Sequence, residues 1–255
     1  MFLFRVFLLI NITIGTVVLN NICVMAQTIQ TPQLPGLNED NEHRQIVNNS
    51  ENPWQVIGRV QTNAGQKCTG FLIAPRIVVT AAHCLWIPKT QHFFAPQSIY
   101  FLLGYQRQKY KIASRVQRIL STQQYRQLML DKTPNDVISD RVYLLLPKDI
   151  ISPTKLIPLA KELPKANTPI WLGGYEQDRI EVLYADKNCF VQRIIQIPNA
   201  LSKLFHTCQA TYGSSGAPLF AKNSEGKWTI IGIQIAAYEK KAGGIAGSLT
   251  ESSHE

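Results

Sequence analysis

The sequence predicts an all-β protein, and three features carry that expectation. Short apolar runs recur from Trp54 onward, most of them are bounded by Gly, Pro, Asn or Asp, and stretches with helical periodicity are scarce. Such spacing fits a barrel or a sandwich. With 255 residues, 45% of them hydrophobic and 17% charged, the chain is long enough for one large or two small domains with a substantial core.

Taken in order, Met1 to Ala26 carries one cation, Arg5, and no acid. Its apolar stretch from Val6 to Leu19 leads to Val24-Met25-Ala26, a small-residue pattern suited to signal peptidase. Asn11, Asn20 and Asn21 interrupt what a membrane helix would keep apolar, and Cys23 lacks the small residues a lipoprotein signal needs before it. Residues 1–26 therefore read as a signal peptide, which implies a secreted or periplasmic protein with no membrane contact after cleavage. Residues 27–51 carry Pro32, Pro35, Gly36 and the polar run Asn38 to Glu42, and read as a propeptide or N-terminal arm.

The strand pattern then begins. Trp54, Val56 and Val60 alternate with Gln55, Ile57 and Arg59; Thr69 to Ala74 and Ile77 to Thr80 follow, divided by Pro75. Ile99 to Leu103, Val142 to Leu146, Ile180 to Tyr184, Phe190 to Ile197 and Trp228 to Ile235 complete the predicted strands. Thr122 to Leu130 and Asn199 to Leu204 are the best helical candidates, and residues 251–255 form a polar tail.

The formal net charge of +9 raises the question of nucleic acid. Lys and Arg are spread along the chain, however, with clusters no larger than Lys240-Lys241 and no basic helix or aromatic-basic ladder. Diffuse basicity of this kind is surface charge, and no nucleic-acid partner is expected. Loss of residues 1–26 leaves four cysteines, Cys68, Cys84, Cys189 and Cys208. In an exported chain an even number reads as two disulfides, with three pairings open. No C-x-x-C or H-E-x-x-H occurs, so no metal and no cofactor are expected.

Two segments carry chemistry. Thr80-Ala81-Ala82-His83-Cys84 directly follows an apolar strand, and Gly213-Ser214-Ser215-Gly216-Ala217-Pro218 precedes the apolar pair Leu219-Phe220. A serine hydroxyl is a poor nucleophile until a base accepts its proton, and histidine is the side chain poised for that near neutral pH. In this order, in a β-rich chain with a leader, the pair resembles the chymotrypsin-like (trypsin-fold) serine proteases over roughly residues 53–250. Cys68-Thr69-Gly70, ahead of the His motif, resembles most closely the bacterial glutamyl-endopeptidase branch. The reverse assignment, an α/β-hydrolase elbow, fails on chain order: the only histidine after Ser215 is His254, in the polar tail.

The resemblance implies two six-stranded Greek-key β-barrels, about residues 52–150 and 151–250, with the active site in the cleft between them. It implies Ser215 as nucleophile, His83 as general base, and the backbone N–H groups of Gly213 and Ser215 as oxyanion hole. The orienting carboxylate is expected just ahead of an apolar strand after the His motif, where Asp140 fits best and Asp136 is the rival. It further implies the disulfides Cys68–Cys84 and Cys189–Cys208. The expected partners are protein or peptide substrates, met by a monomer. His206, His43 and His92 read as satisfied loop histidines rather than further catalytic residues.

Departures from the family pattern bear on activity. Arg44-Gln45-Ile46-Val47 looks like an activation site, yet Ser214, before the nucleophile, has no charge to receive a freed ammonium. No Asp or Glu lies between Cys208 and Ser215, which argues against a pocket for basic side chains. On the substrate-pairing strand Ile235, or Gln234 with a one-residue slip, stands where the family commonly has Ser. The expected function is therefore an exported serine endopeptidase, with a catalytically weak or inactive peptide-binding homologue as the alternative, and with Glu as the suggested residue at the cleaved bond.

Overall fold

The computed structural model describes residues 33–38, 42–120, 125–126, 140–197 and 201–251. The first strand, β1 (Gln45–Ile46), lies in the N-terminal arm. It is followed by β2 (Ile57–Thr62), β3 (Lys67–Ala74), β4 (Ile77–Thr80), β5 (Trp86–Ile87), β6 (His92–Phe93), β7 (Ile99–Leu103), β8 (Ile112–Arg115), β9 (Arg118–Leu120) and β10 (Val142–Leu145). The second half contributes β11 (Pro169–Gly174), β12 (Tyr184–Ile195), β13 (Lys203–His206), β14 (Pro218–Lys222), β15 (Trp228–Ala237) and β16 (Gly244–Ser248).

These strands form two main antiparallel sheets. The first runs β8-β7-β2-β3-β4-β10-β9, and the second runs β1-β12-β11-β14-β15-β16-β13 with a further β12–β13 pairing. In each, three consecutive hairpin-linked strands have a fourth laid beside them: β7 beside β2-β3-β4, and β13 beside β14-β15-β16. That is the Greek-key arrangement. The β12–β13 pairing closes six strands into a barrel, with β1 added outside on β12. The first sheet has seven strands in open order among the described residues, so the expectation of two six-stranded barrels holds for one of the two. A strand with unpaired edges need not close when neighbouring segments cover it.

Buried apolar side chains explain the pairing. Phe71, Leu72, Val78, Val79, Ile99, Phe101 and Leu144 have no exposed surface and fill the first sheet, while Ile170, Val191, Leu204, Leu219 and Ala246 fill the barrel. Trp54, from the turn ahead of β2, stacks on Trp171 of β11 at 5.6 Å and meets the edge of Phe220 on β14 at 5.7 Å. The two sheets are thus joined by aromatic contact as well as by covalent chain.

Three sequence expectations change. The helix expected at Asn199–Leu204 does not form over its described residues: Lys203 and Leu204 belong to β13, whose partners β12 and β16 supply hydrogen bonds that local propensity cannot anticipate. Ile180–Tyr184 and Phe190–Ile197 are not two strands. One twelve-residue strand, β12, runs from Tyr184 to Ile195, and residues 180–183 are turn. The polar run Asp186-Lys187-Asn188 in its first half hid the continuity. The helix expected at Thr122–Leu130 lies largely outside the described residues; the two that are described, Tyr125 and Arg126, are helical.

Candidate active site

Register in the first sheet brings the first two residues of interest together. β4 and β10 are antiparallel with Thr80 opposite Val142, so the chain leaving β4 and the chain entering β10 meet at one end. His83 lies three residues past that pair, in the 3₁₀ turn Ala82–Leu85, and Asp140 two residues before it. The His83 N–H donates to Asp140 Oδ1 at 2.8 Å, and His83 Nδ1 lies 2.5 Å from Asp140 Oδ2. The carboxylate thereby fixes both the backbone and the ring, leaving Nε2 as the free nitrogen. Burial works against the imidazolium, but the Asp140 hydrogen bond and charge outweigh it and hold His83 above its ordinary value. The rival, Asp136, lies outside the described residues.

Ser215 comes from the second sheet, in the turn between β13 and β14. That turn docks on the first sheet at the His83 end. Thr69 of β3 donates its N–H to the Ser215 carbonyl at 3.0 Å. A side chain at Gly216 would place its Cβ 2.2 Å from the Thr69 carbonyl oxygen and 2.9 Å from Ala81 N, so only glycine admits this approach. Cys68 and Cys84 are joined by a disulfide, and the Cys84 sulfur lies 3.8 Å from His83 Nε2 and 4.0 Å from the Ser215 carbonyl oxygen. Imidazole and serine therefore flank the same sulfur. The Ser215 hydroxyl makes no hydrogen bond to His83 in this structure.

Backbone donors at the turn alternate. Ser214 N–H donates to Thr211 O at 3.0 Å and Gly216 N–H to Gln234 O at 2.8 Å, whereas the N–H groups of Gly213 and Ser215 have no partner among the described residues. Gly213 takes φ +90°, a conformation that suits glycine, with the Tyr175 carbonyl where a Cβ would be. Unpaired N–H groups on either side of Ser214 are the raw material of an anion-stabilising hole.

Thr69 is a functional candidate that the sequence reading passed over except as part of a motif. Its Oγ1 accepts from Tyr175 N–H at 2.9 Å and donates to the Gly213 carbonyl at 2.9 Å, and its own carbonyl accepts from Thr80 Oγ1 at 2.7 Å. One hydroxyl thus ties the turn of the second sheet to a strand of the first. No sequence signal marks it beyond its place after Cys68.

Other expectations find their places. Cys189 and Cys208 are joined. Cys68, His83 and Cys84 crowd together, but both sulfurs are consumed by the disulfide, so the cluster offers no thiolate to a metal. Ser214 is buried and spends its hydroxyl on the Thr211 carbonyl at 2.5 Å. His206 is no loop residue: it sits on β13, fully buried, with Nε2 2.7 Å from Gln234 Oε1 and Nδ1 without a partner among the described residues. Burial drives its pKa down to about 4, so it stays neutral at neutral pH. Gln234 points its amide at His206, and Ile235 is buried where the β15–β16 register shifts between Gln234 and Ala236. His92 is exposed on β6.

Residues 41–254 match the Trypsin family, and the chain belongs to that family. Among solved structures it is similar to a Glu endopeptidase in complex with MPD, with TM-score 0.67 and 17% identity over 84% of this chain and 94% of that one. That likeness is one of fold. Comparison with curated protein sequences finds no match.

Proposed function

We propose that this chain is an exported serine endopeptidase that cleaves peptide bonds through an acyl-enzyme on Ser215. The observation that carries the reading is the His83–Asp140 pair, held by two hydrogen bonds, at the place where the Ser215 turn docks. In the proposed reaction Ser215 Oγ attacks the carbonyl carbon as His83 Nε2 takes its proton. The Gly213 and Ser215 N–H groups receive the oxyanion, and the imidazolium, steadied by Asp140, returns the proton to the leaving amine. Water then repeats the sequence on the ester and frees the serine. Residues 1–26 would act as the signal peptide of a secreted or periplasmic protein working as a monomer. The likeness to a Glu endopeptidase supports Glu at the cleaved bond, which a peptide-library cleavage profile would read.

A second reading, a weak or inactive homologue that binds peptides, is favoured by Ile235 in place of a hydroxyl residue and by the missing Ser215–His83 hydrogen bond. Labelling with a fluorophosphonate probe separates the two. The peptidase reading expects labelling of the wild type and none of Ser215→Ala; equal labelling of both, or of neither, defeats it.

A further inference from the structure

The N-terminal arm is tied into the segment leading to Ser215 at two separate points. At the first, the Arg44 side chain is only 1% exposed and faces three carboxylates. Its Nε and Nη2 donate to Glu42 at 2.8 Å each, Nη1 and Nη2 donate to the two oxygens of Asp178 at 3.2 and 2.8 Å, and Nη1 donates to Glu176 Oε2. The same Glu176 oxygen accepts from Thr211 N–H at 3.4 Å, and the next residue, Gln177, donates its N–H to the Tyr212 carbonyl at 2.6 Å. A buried carboxyl with no cation beside it is costly, and a guanidinium can serve several oxygens at once.

At the second point Gly36 donates its N–H to Tyr238 O at 2.7 Å, and its carbonyl accepts from Ala210 and Gly243 N–H at 3.3 Å each. A Cβ there would sit 2.0 Å from the Ala210 carbonyl oxygen, and φ is +76°. Residues 210–212 are thus gripped from the arm by Gly36 and, through Glu176, by Arg44. Between them they hold the stretch that delivers the Gly213 N–H.

We propose that Gly36 and Arg44 are positioning residues: the uncut arm braces the oxyanion turn, and Arg44 supplies the cation behind it. This rests on the peptidase reading for its catalytic consequence, though not for the brace itself. It also turns the apparent activation site around. The Gln45 and Ile46 side chains are exposed, but the Arg44 side chain is buried and the Gln45–Ile46 backbone is paired to β12, so the bond after Arg44 is not free to enter another protease's cleft in the folded chain. The working protein keeps its arm through Arg44 and needs no cut there.

The test compares Arg44→Gln, Arg44→Lys and Gly36→Ala with the wild type, by hydrogen exchange of the peptide covering 208–216 and by steady-state kinetics. Arg44→Gln and Gly36→Ala should each speed exchange there by roughly tenfold or more, with thermal unfolding still cooperative. kcat should fall about tenfold or more with KM little changed, because a loosened oxyanion donor is felt in the transition state. Arg44→Lys, which keeps the charge but not the fork, should fall between, and it decides the matter if Arg44→Gln does not fold. Wild-type exchange in both arm variants overturns the brace, as does an active species whose N-terminus lies beyond Arg44. Faster exchange together with a wild type that never labels at Ser215 leaves the brace standing and removes the peptidase reading alone.

Discussion

His83 and Asp140 both hang from the first sheet, on adjacent strands whose register sets them face to face, and two direct hydrogen bonds join them. Gly213 and Ser215 lie in an irregular turn of the second sheet whose fixed points are borrowed: Thr69 from the first sheet, and Glu176 with Arg44 behind it. One half is placed by secondary structure, the other by tertiary contacts. A register is cooperative and hard to disturb by one substitution. A turn held by a few side chains is sensitive to each of them, because a buried polar group left unpaired costs about 1–3 kcal/mol.

The largest break of this comparison is Asp140→Asn. The side chain keeps its shape but can no longer enforce the imidazole tautomer or support its charge, so turnover should fall by about 10⁴ with the fold intact. Measured kcat/KM beside an unchanged melting temperature checks it. Asp136→Asn as the crippling change instead would reassign the acid.

Replacing Cys68 and Cys84 together by Ala removes the loop closure that anchors the His83 turn. The two residues are separated by 16 positions, and a loop of about that size is worth roughly 3 kcal/mol. Urea unfolding should show that loss, with a larger fall in activity than stability alone accounts for.

Thr69→Val tests the borrowed half. It conserves volume but leaves the Tyr175 N–H and the Gly213 carbonyl without their common partner. A loss of about 1–3 kcal/mol is expected, shared between stability and transition-state binding. If kcat is untouched, Thr69 is structural only.

Two pH experiments sharpen the contrast further. His83 must be neutral to accept a proton and its folded pKa is raised, so activity should climb with pH at a midpoint above the ordinary value of about 6.5. Its contribution to stability has the opposite sense: present below the unfolded pKa, it is lost as pH rises through the folded one. Rates measured from pH 5 to 9 check the first statement, and a flat profile contradicts it.

The second experiment concerns Glu176. Burial pushes its pKa up to about 8 against the pull of Arg44, so folding favours its protonated form. That contribution is complete below the unfolded value of about 4.5 and disappears as pH passes about 8. Against Glu176→Gln, which is neutral throughout, the wild type should lose up to about tenfold in folding constant per pH unit between about 4.5 and 8, and the difference should level off above pH 8. Melting temperatures of both proteins across pH 4–9 read the difference.

The sequence reading located His83 and Ser215 because each lies in a short motif bounded by an apolar strand, so local pattern and chemistry coincide. Asp140 was legible for a similar reason, standing just before the run Val142 to Leu145. β13 was misread because Lys203 and Leu204 end a stretch with helical spacing and become strand only between β12 and β16. Arg44 was noticed only as part of a sequence that looks like an activation site, since nothing nearby in sequence announces carboxylates 132 and 134 residues away.

What the amino-acid order determined by itself was the all-β character and the family motifs. Alternating apolar residues and turn formers act over a few positions, and that range is enough for them. What only tertiary structure decided was the closure of one barrel and not the other, the clasp of Thr69 on Gly213, and the burial of Arg44 against Glu176. Those outcomes depend on which distant groups share a low-dielectric interior, where an unmatched hydrogen bond or charge is too costly to leave alone.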